Sequence, residues 1–304
     1  MRPAGTGRTV RVENGLFLLL LLAVICLPKG RTGVASPWPL SAVILLIELS
    51  YQLHRLRGRK GTRDDIIIFV WLLLFLWEML TSVLGLGHPV LIPSPENVFA
   101  VLVLRYRTML LNTLYSLELL FLGAALGLSL STAAGLICGR LGRLRAFLCP
   151  IANVLAPIPA VVISPYLVAL MPSFRSASVL VVFLGVFWPS FLGTVASLDA
   201  VDPRLLDSAR MLGLKGREMT WKILLPAVFP SMVGRLKITM TTAVLMLNFA
   251  ELMGASHGLG YYIQNSIAYA NYTNAVAGIL MVGLVVTFMN KIITLIQKKV
   301  IHWQ

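Results

Sequence analysis

The sequence predicts an all-α, polytopic membrane protein with about eight transmembrane helices. Three observations carry that expectation. Hydrophobic residues make up 58% of the 304-residue chain and charged residues only 12%, whereas soluble domains average about 25% charged. Apolar runs recur at close to the roughly 20 residues that a helix needs to cross a bilayer core. No stretch shows the strict alternation of a membrane β-barrel.

Read in order, the candidate spans are 15–28, 37–53, 66–86, 112–138, 147–170, 176–198, 230–252 and 274–296. The first, "GLFLLLLLAVICLP", is short and follows Arg2, Arg8 and Arg11, so it resembles a signal-peptide core with "GVA" at 33–35 as a cleavage-like site. Lys29 and Arg31 lie between core and site. Positive charge there disfavours cleavage, and a retained short helix is expected. The second span completes a hairpin and leads into the basic linker "HRLRGRKGTRDD". A module boundary is therefore expected near residue 60, giving 1–60 and 61–304. After the third span, Pro93 and Pro95 in "GHPVLIPSPENVF" cannot continue a helix, and Ser94-Pro95-Glu96 suits the start of a short interfacial one.

The fourth span carries Gly123, Gly127, Ser131, Gly135 and Gly139 at four-residue intervals. Small residues in one stripe let another helix backbone approach, so helix packing is expected there. The fifth, within "CPIANVLAPIPAVVISP", has prolines at 150, 157, 159 and 165. Broken helices are tolerated in membranes where they meet neighbours or line a cavity. Asn153, Pro157 and Pro159 are accordingly candidates for a solute pathway.

The net charge of +14 raises nucleic acid as a partner, and the placement of the charge argues against it. With the N-terminus inside, eight spans return the C-terminus inside as well. Most of the 26 basic residues then fall on inner segments, with Lys29, Arg31, Arg105, Arg107 and Arg175 left outside. This is the positive-inside pattern, and the implied partner is the lipid bilayer rather than nucleic acid. The chain has no HExxH, GxSxG or GxxxxGK[ST] motif. Cys26, Cys138 and Cys149 lack metal or redox spacing, and the four histidines are scattered. Neither an enzyme nor a cofactor is expected.

Between the last polar turn and the seventh span lies "DSARMLGLKGREMTWKILLP", residues 207–226. Asp202 can cap a helix whose first residue is Pro203. Leu205, Leu206, Ala209 and Leu212 would form its apolar face, with Arg204, Asp207 and Arg210 opposite. Gly213 suits the helix end, and a second short helix would run through Trp221 and Ile223 until Pro226 stops it. Physically, such a helix–turn–helix fits either a groove on a partner protein or the membrane surface.

The same stretch resembles the coupling-loop motif of ABC importer permeases, E-A-A-x3-G-x9-I-x-L-P. Here it reads Asp207-Ser208-Ala209, Gly213, then Ile223-Leu224-Leu225-Pro226, with each spacing kept. "AELMGASHGLGYYI", residues 250–263, is similar to the segment after the fifth core helix in permeases of the nitrate/sulfonate/taurine type, and "LIPSPENVF" and "APIPA" fall where that group has proline motifs. The resemblance covers residues 66–304 or so. It implies a six-helix type I importer permease core, with residues 1–60 as an extra N-terminal hairpin and 199–229 as the coupling loop. It further implies a bacterial or archaeal inner-membrane location, a dimer of cytoplasmic ABC ATPases, a second permease subunit and an external solute-binding protein. ATP would be hydrolysed in the separate subunit. Asp207, Ser208, Ala209 and Arg210 would be coupling contacts, Gly213 the turn, and Ile223, Leu225 and Pro226 the anchor of the second helix. The solute would be a sulfonate, taurine, nitrate or a pyrimidine precursor.

Carboxylates within or beside spans are functional candidates by default. Glu48 and Glu78, near helix ends, are expected to reach water. Glu118, one turn before the glycine stripe, is a pathway or structural candidate. Glu251 is likewise a pathway or structural candidate, expected to tie the outer loop through backbone N–H groups in preference to contacting substrate. The alternative class is an ion-coupled secondary transporter, for which inverted repeats would be the sign; no repeat is evident.

Overall fold

The computed structural model describes residues 6–30, 33–56 and 62–300. Part of the basic linker, residues 57–61, lies outside them. In chain order the helices are α1 (Thr6–Cys26), α2 (Trp38–Leu56), α3 (Thr62–Glu78), α4 (Pro95–Leu104), α5 (Tyr106–Cys138), α6 (Gly142–Leu155) and α7 (Ala160–Leu170). They continue with α8 (Phe174–Asp199), α9 (Pro203–Met211), α10 (Arg217–Met219), α11 (Leu225–Leu252), α12 (Leu259–Ala268) and α13 (Tyr272–Val300). Wide π-helical turns, Met79–Val83 and Thr220–Leu224, extend α3 and join α10 to α11. No strand occurs among the described residues.

Among the described residues, five helices are long and apolar enough to span a membrane: 64–83, α5, α8, 217–252 and α13. The fifth expected span is not straight. It is α6 and α7, bent by 96° at the Ala156–Pro159 break, and counted as one it brings the number to six. The physical cause is local, because neither Pro157 nor Pro159 has an N–H to donate to a continuing ladder and Pro159 holds extended backbone at φ −61° and ψ 122°. The two extra spans of the expected hairpin are shorter apolar helices, Val12–Cys26 and Trp38–Leu53.

Two compact units make up the chain. The first contains residues 1–109 and 263–280. In it Leu20, Val24, Leu40, Ile44 and Trp71 form a core shared by α1, α2 and α3. The hairpin therefore buries its apolar face on α3 rather than standing alone. As the sequence suggests, Pro95 opens α4 in its first turn after extended Ser94.

The second unit contains residues 110–262 and 281–304. Leu119, Leu120, Val182, Val186, Val244, Leu247, Met289 and Ile293 bring α5, α8, α11 and α13 together. The glycine stripe runs along the α5–α8 seam. A Cβ at Gly123 would lie 2.7 Å from Val182 Cβ, one at Gly127 2.9 Å from Val186 Cβ, and one at Gly135 2.6 Å from Thr194 Cγ2. Gly139 faces Leu198 in the same way, and Ser131 is fully buried. Real side chains essentially never approach that closely, so the helices could not sit at this separation with alanine there.

Glu78 and Glu48 depart from expectation. Glu78 is fully buried and bonded to Lys29, and Glu48 is buried with Gln52 donating to it. The reason is tertiary for Glu78, where the turn after α1 brings an ammonium to the end of α3. For Glu48 it is local, since Gln52 stands one helical turn further on.

Candidate functional site

Residues 199–229 build a projecting structure from simple local rules. Asp202 accepts a hydrogen bond from the Arg204 N–H at 2.9 Å, which satisfies one of the donors a helix start leaves free. Pro203 occupies the first turn of α9, where its missing N–H costs nothing. Gly213 has φ +79° and Gly216 φ +56°, left-handed values that favour glycine. The chain reverses through them into α10.

One side of this structure is keyed to the spans. Leu206, Met219 and Leu225 pack on Leu136, Leu198, Leu224 and Val228, so the C-terminal ends of α5 and α8 and the start of α11 share a core with α9. Ala209 is 2% exposed and belongs to that inward side, so it is not a surface contact as expected; its small side chain lets α9 approach the spans. The expected apolar face is narrower than four residues, because Leu212 at the helix end is 80% exposed and Leu205 is also exposed.

The other side is open. Arg210 pairs with Asp207 at 2.8 Å with both side chains exposed, and Ser208 Oγ donates to the Arg204 carbonyl. Met211 beside them is 90% exposed. An outward apolar pair, Met211 and Leu212, flanked by charges is an arrangement that a protein groove can cover. Pro226 does not stop the second helix. It lies in the first turn of α11, and Leu225 N–H bonds back to Thr220 O across the π turn. That wider turn gives the proline ring room against the preceding carbonyls, so helix runs from Arg217 to Leu252. Ile223 and Leu225 are half-buried and Pro226 is exposed.

The block 250–263 is organised around Glu251. Its Oε1 accepts from Ser116 Oγ and its Oε2 from Gly260 N–H, both at 2.7 Å. Ser116 Oγ in turn accepts from Leu259 N–H at 2.9 Å, and Asn112 Oδ1 from Gly258 N–H at 2.8 Å. The buried carboxylate thus sits at the start of α12, where free N–H groups and the helix dipole favour negative charge. Gly258 has φ +116°, and a Cβ on it would run into the Glu251 carboxylate. At Gly260 a Cβ would lie 2.5 Å from the Asn248 carbonyl oxygen. The glycines of "HGLG" are there for close approach.

Of the remaining candidates, Glu118 pairs with Arg175 in an exposed ion pair. Asn153, Pro157 and Pro159 are exposed around the α6–α7 bend. The three cysteines are free thiols, and among the described residues no metal-binding cluster occurs.

The bent helix pair, the turn at 203–226 and the continuous helix that follows it all lie within the stretch matched by one family model. The description of that family is binding-protein-dependent transport system inner membrane component, and the match spans residues 131–302. The chain belongs to that family.

Relatives of the permease agree. The putative aliphatic sulfonates transport permease protein SsuC of Bacillus subtilis is 26% identical over 254 residues, 82% of this chain and 90% of that protein. The taurine transport system permease protein TauC of Escherichia coli is 22% identical, with 78% and 86% covered. The nitrate import permease protein NrtB of Synechococcus elongatus is 23% identical, with 75% and 86% covered. A solved structure titled as inward-facing conformations of the MetNI methionine ABC transporter shares the fold at a TM-score of 0.52 and 20% identity, covering 62% of this chain and 96% of that one. The protein is a multi-pass membrane permease subunit of an ABC importer, and not an ion-coupled secondary transporter.

Two groupings were not legible in the sequence. Lys29, Glu78 and Glu96 meet in the first unit, and Arg235, Ser197 and Ser231 meet in the second. A charge inside the 230–252 span was the available signal for Arg235. For Glu96, outside every span, there was none.

Proposed function

We propose that the permease couples its solute path to a separate cytoplasmic ATPase through the projection at 203–226, with Asp207, Ser208, Arg210, Met211 and Leu212 as the docking face. The observation that carries this reading is the two-sidedness of α9: Leu206 and Ala209 packed on the span ends, Met211 and Leu212 facing out. A movement of the docked ATPase is then passed to α5, α8 and α11 as a rigid push rather than absorbed by a loose loop. ATP must favour one of two arrangements for this to do work. A second permease subunit completes the pathway and an external binding protein delivers the solute. Both termini lie in the cytoplasm of a bacterial or archaeal cell. Residues 61–304 are the transport domain and 1–60 an added hairpin. The relatives' names support a small oxyanion or zwitterion as solute, of the sulfonate, taurine or nitrate class.

The test is ATPase copurification and solute-stimulated ATP hydrolysis in proteoliposomes. Gly213→Val forces a β-branched residue into left-handed backbone, and Arg210→Glu reverses a docking charge. Both are expected to lose ATPase association while the permease stays folded in the membrane. Full coupling in both variants overturns the reading.

A further inference from the structure

We infer that Arg235, together with Ser197 and Ser231, forms an oxyanion-binding subsite at the inner end of the permease path. The identity of its solute rests on the import reading above; the anion chemistry does not.

Arg235 lies inside the span that runs from Arg217 to Leu252, about 15 Å along the helix from the start of α11 at 1.5 Å per residue. A guanidinium offers five N–H donors. Among the described residues only one acceptor takes one of them, Ser197 Oγ at 3.1 Å, and no carboxylate pairs with Arg235. The contrast is with Arg145, Arg175 and Arg210, each paired with an acid on the protein surface. Ser231 Oγ bonds Ser197 Oγ at 2.7 Å and completes a polar patch between α8 and α11. Gly193 makes room for it: a Cβ there would lie 2.9 Å from Arg235 Cζ, so the guanidinium rests against the α8 backbone.

Arg235 borders open space on two sides. A cavity of about 420 Å³ is bordered by Arg235, Ser197, Ser231, Ala200, Asp202 and Leu205. A second, of about 200 Å³, is bordered by Arg235 with Thr132, Ser190, Thr194 and Thr239. One cation without an acid partner among the described residues therefore stands between two cavities of the same helix group. A partly buried charge without a counter-charge is costly, and an entering oxyanion supplies that counter-charge with two oxygens on the planar fork. Asp202 borders the larger cavity, its carboxylate engaged at the start of α9. A negative group there keeps the site weak, as a transit site must be if bound ions are to leave. Leu205 of α9 borders the same cavity, so an occupant touches the coupling projection directly.

The chemistry is that of a sulfonate, a nitrate or a phosphate, and a phosphate has a second source in a lipid headgroup reaching in from the inner leaflet. The experiment separates these sources. Ala200→Cys is introduced after replacing Cys26, Cys138 and Cys149 by alanine, and the full complex is placed in nanodiscs of phosphatidylcholine, with or without phosphatidylglycerol. Its modification rates by an anionic and a cationic methanethiosulfonate reagent are compared. The anionic preference is expected to fall about tenfold in Arg235→Gln, as loss of a focusing charge requires, and to persist in Arg235→Lys. Slowing of the anionic reagent by ethanesulfonate in phosphatidylcholine alone supports the subsite as a solute site. Slowing only by phosphatidylglycerol supports it as a lipid-phosphate site. No slowing by either in the Arg235 protein overturns it, whether or not Arg235→Gln assembles. ATPase copurified from the same samples keeps the two readings apart: retained ATPase without slowing removes only the subsite, and lost ATPase with slowing removes only the coupling role.

Discussion

Lys29 Nζ lies 2.7 Å from Glu96 Oε1 and also bonds Glu78, so one ammonium serves two carboxylates that are both fully buried. Ser82 Oγ stands between the acids, 2.6 Å from Glu96 Oε2 and 3.2 Å from Glu78 Oε2. Gly30 N–H adds a backbone bond to Val83 O at 3.1 Å. The N-terminal hairpin is thus fastened to the end of α3 and the start of α4 by charge as well as by its apolar face. Lys29→Met should destabilise the first unit by about 3 kcal/mol, because two buried acids lose their cation. Adding Glu78→Gln and Glu96→Gln should restore most of it. Thermal unfolding in detergent checks both, and a triple variant no better than the single one would deny the ion cluster its role.

The same cluster sets a pH window. Burial pulls Lys29 down, but its bonds to Glu78 and Glu96 outweigh that and hold it above its ordinary value. Its contribution is present below that value and is lost as pH rises through the raised one. Burial pushes Glu96 up, but hydrogen bonds from Lys29 and Ser82 outweigh that and hold it below the ordinary range. Its contribution is present above that range and is lost as pH falls through the lowered value. The contributions of Lys29 and Glu96 should therefore both be present between about pH 4 and about pH 10, the ordinary values of the two groups. Thermal unfolding across that range should show the fall at each end shrinking in the triple variant.

Gly127→Leu should weaken assembly. The new side chain must displace Val186, and overpacking of this kind costs about 1–3 kcal/mol. Val186→Ala in the same protein should relieve part of the loss, which a yield and gel-filtration comparison would reveal.

Gly260→Ala should disrupt the Glu251 hub without touching the coupling projection. A methyl group there meets the Asn248 carbonyl and the Glu251 side chain. The expected outcome is faster proteolysis within 253–258 and normal ATPase copurification. Unchanged proteolysis would mean that the loop is held by other contacts.

Cysteines placed at residue 60 and residue 300 should both label from the cytoplasmic side. Labelling of residue 60 from outside would reject the hairpin topology.

The sequence by itself determined the features that local rules govern. Composition and run length specified membrane helices, because a bilayer accepts only chains that satisfy their own backbone. Asp202, Pro203 and Gly213 marked the start and end of α9, since capping and left-handed turns depend on a few consecutive residues. The stripe from Gly123 to Gly139 and the hub role of Glu251 were legible for the same reason, each being carried by spacing along one helix or one loop. Even here Pro226 misled, because a π turn, which depends on how the chain packs before it, absorbed the proline. Only the tertiary structure decided that Lys29 meets Glu78 and Glu96, that Ala209 faces inward, and that Arg235 stands between two cavities with no acid paired to it among the described residues. These depend on residues brought together across 30 or more positions, as in the 38-residue separation of Ser197 and Arg235. No local propensity records such a distance; helix packing alone closes it.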